Sequence, residues 1–156
     1  MRFFRDKKKI KASIEEYVAS LKTDYGNDNY LPLQEICNDA GIELIQSQSL
    51  SDARAFKFKN GVRGVVYDPT MQTYPLLYNL TKKVSHHLLN HFERKPPIYL
   101  LEAEAHYFSA AAMNIPFLTL RGIIYFPSVY SLFISTEKIK QSLADHYSLD
   151  IKPELI

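Results

Sequence analysis

Two strong helical patterns meet at Pro96-Pro97, and that junction constrains the fold more than any other feature of the chain. From about Thr73 to His91, Leu77, Leu80, Val84, Leu88 and His91 fall on one stripe at helical spacing. The two prolines interrupt the pattern, because neither has an N–H and the residue before a proline avoids helical dihedrals. A second helix is predicted over about 98–113, with Leu100, Leu101, Ala105, Phe108 and Ala112 on its apolar face, and Pro116 limits its extension.

The rest of the chain supplies partners for this pair. Ile10, Ile14, Tyr17, Val18 and Leu21 mark one face of an N-terminal helix that ends in the polar stretch DYGNDN. LPLQEICNDAG reads as a short helix, with Pro32 in the first turn and Gly41 as its stop. IELIQ (42–46) is a predicted strand, and AFKFK and VRGVVY flank Asn60-Gly61, a strong hairpin signal. FLTLRGIIYF fits helix or buried strand equally well, and Ser135 reads as the N-cap of a last helix, TEKIKQSLADHY. The expected fold class is α+β in one domain over 1–156, a small hairpin-bearing sheet on one side of several helices.

Composition narrows the function classes. The chain has 156 residues, enough for one substantial core, and a net charge of +2 that demands no acidic partner. A single cysteine, Cys37, excludes an internal disulfide and a Cys-rich zinc module, and its apolar helical position predicts a buried structural thiol. No apolar run is long enough for a membrane span, and MRFFRDKKKIK is charged where a signal peptide would be apolar, so a cytoplasmic protein is expected. Residues 1–12 carry +5, leaving −3 on the remainder. Arg5, Lys7, Lys8 and Lys9 in this arm are candidate phosphate contacts, set against a solvated first turn. The aromatic residues Tyr107, Tyr125, Phe126, Tyr130 and Phe133 fit core packing or an interaction face.

The chemistry-bearing segment is 77–113, which joins a histidine cluster to Glu102 and Glu104 on the next helix. In zinc peptidases with an HExxH helix, two histidines four apart hold the metal and the intervening glutamate takes a proton from the bound water. Tyr78-Asn79-Leu80-Thr81-Lys82-Lys83-Val84-Ser85-His86-His87-Leu88-Leu89-Asn90-His91 and Glu102-Ala103-Glu104-Ala105-His106-Tyr107-Phe108-Ser109-Ala110 resemble the ImmA/IrrE family of metallopeptidases. Members read approximately F-T-L-A-H-E-L-G-H-H-L-L-x-H in the first helix and E-x-E-A-x-x-F-A-A in the second. LPLQEICNDAGIELI, GVVYDP and FISTEKIKQSL are similar to the family's flanking elements, with Ser142 where an Arg is usual, so the resemblance covers about 11–145. It implies zincin-like, gluzincin-type helices and association with phages or mobile elements. It also implies a helix-turn-helix repressor as partner, recognised along an edge strand at Val65, Val66, Tyr67 and Asp68.

The departures decide the expected activity. In the family register, the first zinc ligand falls on Lys82 and the catalytic glutamate on Lys83, leaving His86 as the remaining ligand of that helix. A protonated lysine is neither a zinc ligand nor a base at neutral pH, so no catalytic residue and no cofactor are expected. Glu102, with Glu104 as second choice, is the relic third ligand, set against a plain acidic first turn. A Lys82 or Lys83 ammonium facing Glu102 or Glu104 would replace the zinc charge and hold the helices in register. The leading expectation is therefore a catalytically inactive regulator that binds a protein partner. Two alternatives stand beside it: a zinc peptidase with shifted ligands, His87 and His91 plus Glu102 or Glu104, and a nucleic-acid-binding regulator using the basic arm.

Overall fold

The computed structural model describes residues 2–26, 31–47, 53–69, 73–113 and 129–156. The element order is α1 (Arg2–Asp24), α2 (Leu33–Ala40), β1 (Glu43–Gln46), β2 (Arg54–Lys57), β3 (Arg63–Tyr67), α3 (Thr73–Leu88), α4 (His91–Arg94), α5 (Ile98–Met113), α6 (Val129–His146) and β4 (Glu154–Leu155). The strands form a mixed sheet in the order β1-β3-β2-β4, with β1 parallel to β3 and the other pairs antiparallel. The α+β class thus holds.

Local chemistry explains most boundaries. Gly41 takes a left-handed conformation (φ 68°) after α2, and the Ile42 N–H returns to the Cys37 carbonyl at 2.8 Å, which closes the helix and releases β1. The β2–β3 hairpin turns at Asn60-Gly61, with Gly61 at φ 94° and the Phe58 N–H bonded to the Val62 carbonyl at 2.8 Å. Gly64 is required for a different reason: a Cβ there would run into the Glu43 carbonyl and approach the Phe56 ring at 2.8 Å. The β1–β3 contact depends on that missing side chain.

Side chains alternate across the sheet and fill two apolar layers. Ala55 and Val65 pack on one face with Cys37, Ile42, Leu80, Val84 and Phe92. Phe56, Phe58 and Val66 pack on the other with Ile139, Leu143 and Ala144 of α6. The sheet is therefore covered on both faces, not on one as the sequence pattern suggested. A third apolar layer joins α1 to α5 and α2 through Ile14, Val18, Ile36, Tyr107 and Phe108.

Three expectations need correction. First, β3 lies between β1 and β2, so Val65, Val66 and Tyr67 are no edge strand, and Asp68 just beyond them is buried. The main chain of β3 is bonded on both sides and has no free row for a partner strand. Second, α6 begins at Val129, placing Ser135 inside the helix, because the apolar run before it continues helically. Third, the stripe from Thr73 breaks at Asn90, whose left-handed backbone (φ 57°) moves His91 into α4. FLTLRGIIYF, with Tyr125 and Phe126, lies outside the described residues, as do the side chains of Tyr130 and Phe133.

Candidate functional site

The interface between α3 and α5 carries an unusual density of polar side chains for a helix–helix contact. Lys83, Ser85, His86, His87, His91, Glu104 and Ser109 are all buried there or at its margins. Buried polar groups are tolerated where they are bonded. Tyr78, Lys82, Glu102 and His106 form one short chain across the two helices, and His86, His91 and Glu104 are joined in another.

The first chain runs through two of the positions matching metal ligands in the resembled family, Lys82 and Glu102. Lys82 Nζ lies 2.7 Å from Glu102 Oε2, His106 Nε2 lies 3.7 Å from the same oxygen, and Tyr78 hydrogen-bonds His106 Nδ1. Two pairs at helical spacing of four, Tyr78/Lys82 on α3 and Glu102/His106 on α5, thereby face each other. The expected lysine–glutamate contact exists, and it joins Lys82 to Glu102. His106 and Tyr78 were missed from the sequence; the signal available for them was that shared four-residue spacing.

Electrostatics assign the charges. Burial pushes the Glu102 carboxyl up, but the Lys82 ammonium, by charge and hydrogen bond, with Lys83 and His106 behind it, brings it below the usual glutamate value. Burial, with Lys82 repulsion second, lowers His106 to about 4 despite Glu102 nearby. The lysine, and not an imidazolium, neutralises Glu102. Tyr78 is raised by burial and by Glu102, so its phenol is a neutral hydroxyl.

The second chain is deeper. Arg94 Nη1 and Nη2 grip Glu104 bidentately at 3.0 and 3.3 Å, His91 Nε2 stands 3.6 Å from Glu104 Oε1, and His91 Nδ1 lies 2.7 Å from His86 Nδ1. The charge of Glu104 favours the tautomer in which His91 Nε2–H faces it and His91 Nδ1 accepts from His86 Nδ1–H. Burial lowers the pKa of both imidazoles, with Lys83 adding to it at His86. His86 Nε2 is then a buried acceptor with no hydrogen-bond partner among the described residues.

His87 does not join either chain. Its Nε2–H donates to the Gly64 carbonyl at 2.7 Å, and its ring stacks on Phe92 with centroids 5.0 Å apart, tying α3 to β3. Burial lowers it to about 4, partly opposed by that bond to Gly64. His87 and His91, four apart in sequence, thus serve different partners, because Asn90 ends the helix between them. The shifted ligand set His87, His91 and Glu102 or Glu104 is not brought together. Among the described residues no group of three or more His, Cys, Asp or Glu is placed to hold a metal ion.

These donors do not fit the zinc that the resemblance implies. The first-ligand position holds an ammonium bonded to the carboxylate that would be the third ligand. Of the three family positions only His86 offers an unbonded donor atom, Nε2, where a zinc site needs three protein ligands.

The other singled-out residues are readily placed. Lys8 and Lys9 are exposed in α1, Lys11 pairs with Glu15 at 3.7 Å, and the side chains of Arg5 and Lys7 lie outside the described ones. Cys37 is buried, and desolvation raises its thiol to about 12, against a smaller opposing effect of Arg63, so it is no nucleophile. Among the described residues no helix is long and apolar enough to cross a membrane. A scan against protein-family models finds no match to this chain, and a search of curated proteins finds none either.

Proposed function

We propose that this chain is a non-catalytic, zincin-like relative of the ImmA/IrrE metallopeptidases that acts as a cytoplasmic regulator by binding a protein. The partner class that the resemblance implies is a helix-turn-helix repressor of a phage or mobile element. The observation that carries this reading is the Lys82–Glu102 contact at 2.7 Å. It puts a fixed positive charge where a peptidase of this type would hold its metal, and bonds it to the carboxylate that would otherwise be a ligand. The ammonium supplies charge balance to the carboxylate, and Lys83 stands where the resembled peptidases carry the base that activates water. Retaining the frame while losing the chemistry suits a protein that recognises and does not cut.

The recognition element differs from the one the sequence suggested. With β3 enclosed, strand addition falls to β1, whose outer edge pairs with no described strand. Exposed Glu43 and Gln46 flank that edge and would set the side-chain preference of an added strand.

Zinc per chain, measured by elemental mass spectrometry on untagged protein purified without chelator, tests the first half of this reading. A value near zero in folded protein is expected, and a value near one overturns it. The double variant Lys82→His, Lys83→Glu is the positive control, since it removes the competing ammonium and is expected to recover zinc. Affinity capture with the folded chain tests the second half. Recovery of a helix-turn-helix protein supports binding, and recovery of chaperones alone refutes it.

A further inference from the structure

A cavity of about 640 Å³ opens between the first half of α1 and the α3–α4–α5 junction, away from the Lys82–Glu102 contact. Its size falls in the ordinary range for small-molecule sites. Ile14 is buried at its wall, whereas Ile10, Tyr17, Leu88 and Leu89 are only partly buried around it. The α1 apolar stripe packs on its neighbours through Ile14 and Val18, and leaves Ile10 and Tyr17 only partly covered at the cavity.

The polar groups of the cavity are few and of one dominant sign. Lys9 stands exposed on α1, and Arg94 is half-exposed on α4. Among the described residues Glu104 is the single acidic lining residue, so their formal charge at the wall is +1. Arg94 is held in place rather than free to swing. Its Nη1 donates to the Leu89 carbonyl at 2.9 Å and its two Nη atoms hold Glu104, which uses three of its five N–H donors. Two donors remain on a guanidinium whose position is already fixed, and a pre-organised cation loses little freedom when an anion binds.

We infer that this cavity is a binding site for a small amphipathic monoanion, its carboxylate or equivalent acid group between Lys9 and Arg94 and its apolar body along Ile10, Ile14, Tyr17, Leu88 and Leu89. Charge complementarity fixes the class: one negative charge cancels the net +1 of the wall, and an apolar body covers side chains that the fold leaves partly open. A neutral ligand leaves Lys9 and the spare Arg94 donors without a partner acid, and a dianion overcharges the site. The inference does not depend on the peptidase resemblance, because none of its residues is Lys82, Lys83, His86 or Glu102. It does give the deeper polar chain a role. Glu104 is shared between this cavity and the His91–His86 pair, so an occupant touching Arg94 reaches the α3–α5 interface through one carboxylate.

Decanoate is the probe and decanol its neutral counterpart, titrated into the full chain by calorimetry below micelle-forming concentrations. Saturable binding of one decanoate per chain is expected, with decanol at least about tenfold weaker, the order of one well-placed charge interaction. Ser13→Trp, on the exposed rim of α1, fills the cavity and is expected to abolish binding. Lys9→Glu, at an exposed position, is expected to weaken it about tenfold. The melting temperature of both variants is measured alongside, and Lys9→Glu keeps the test informative if Ser13→Trp fails to fold. Equal binding of decanoate and decanol, no saturable binding, or binding unchanged in both variants overturns the inference. So does a wild-type dimer that Ser13→Trp dissociates, which would assign the cavity to a second copy of the chain.

Discussion

Tyr78–His106–Glu102–Lys82 and His86–His91–Glu104–Arg94 are the same sequence of groups built twice across one helix pair. Each has a carboxylate at its centre, a cation bonded to it, an imidazole within 3.7 Å, and a further polar ring behind the imidazole. What differs is access to water. The Glu102 side chain is 40% exposed and that of Glu104 only 6%. In both chains burial holds the imidazole neutral, and the charge of the nearby cation adds to it. Of the three positions matching the resembled metal site, Lys82 and Glu102 fall in the more solvated chain and His86 in the buried one. The buried chain is the one whose loss is expected to cost the fold more.

The widest break of this comparison is acid. His87 and His106 have values near 4 in the folded protein, and His86 and His91 are lowered as well, whereas an unfolded histidine titrates near 6.5. Between these limits the unfolded state binds more protons, so stability rises with pH there. The contribution is complete above about 6.5 and is lost as pH falls towards 4, at about 3 kcal/mol for a histidine shifted this far. Glu102 acts in a lower window, because its depressed pKa gives stability that disappears only below the ordinary carboxylate range. Urea unfolding at pH 7, 6, 5 and 4.5 is expected to show a steep loss over the upper window. His106→Gln should remove part of the slope and leave the share of the deeper imidazoles. A flat profile from pH 7 to 4.5 would mean that the imidazoles are not held neutral.

Next in size is the deeper pair. Arg94→Leu strips the cation from a buried carboxylate, and breaking such a pair costs about 3 kcal/mol. Arg94→Lys keeps the charge but not the bidentate fork, and an intermediate loss is expected. Chemical denaturation of the two variants measures both values. A loss below about 1 kcal/mol for Arg94→Leu would show that Glu104 is solvated after all, and the contrast between the chains would collapse.

Local pattern carried the helices well and the sheet order poorly, for physical reasons. Gly41, Asn60-Gly61 and Pro96-Pro97 act on their own backbones, so their turns were legible from the residues alone. Asn90 also acts locally, but the apolar period runs straight through it to His91, and the period masked a left-handed break. That break set the expected partnership of His87 with His91 aside. Strand order depends on long-range packing, yet Gly64, Val65 and Val66 offered a hint. Three consecutive buried positions mean a strand covered on both faces, which is the mark of a central strand and not an edge. The two-residue β4 has too little sequence to carry a pattern, and its pairing rests on the Ala55–Ile156 main-chain bonds at its end. At the site, opposite charges at corresponding positions were enough to anticipate Lys82 with Glu102. Nothing in the sequence placed Arg94 against Glu104, ten residues away across the Pro96-Pro97 turn.

The smallest expected effect falls on the contact that carries the functional reading. Lys82→Glu sets two carboxylates against each other, but the Glu102 side chain is 40% exposed, so a loss of about 1 kcal/mol is expected. Lys82→Met keeps the stem and removes only the charge, and should cost less. The exchanged pair, Lys82→Glu with Glu102→Lys, is expected to regain most of the loss, because it restores one contact between opposite charges. A double-mutant cycle makes the contrast quantitative: coupling under about 1 kcal/mol for Lys82–Glu102 and above about 2 kcal/mol for Arg94–Glu104. Equal couplings would show that solvent does not discriminate between the chains. If Lys82→Glu leaves the melting temperature unchanged, the ammonium is not holding α3 to α5, and the proposal that it replaces a metal charge fails with it.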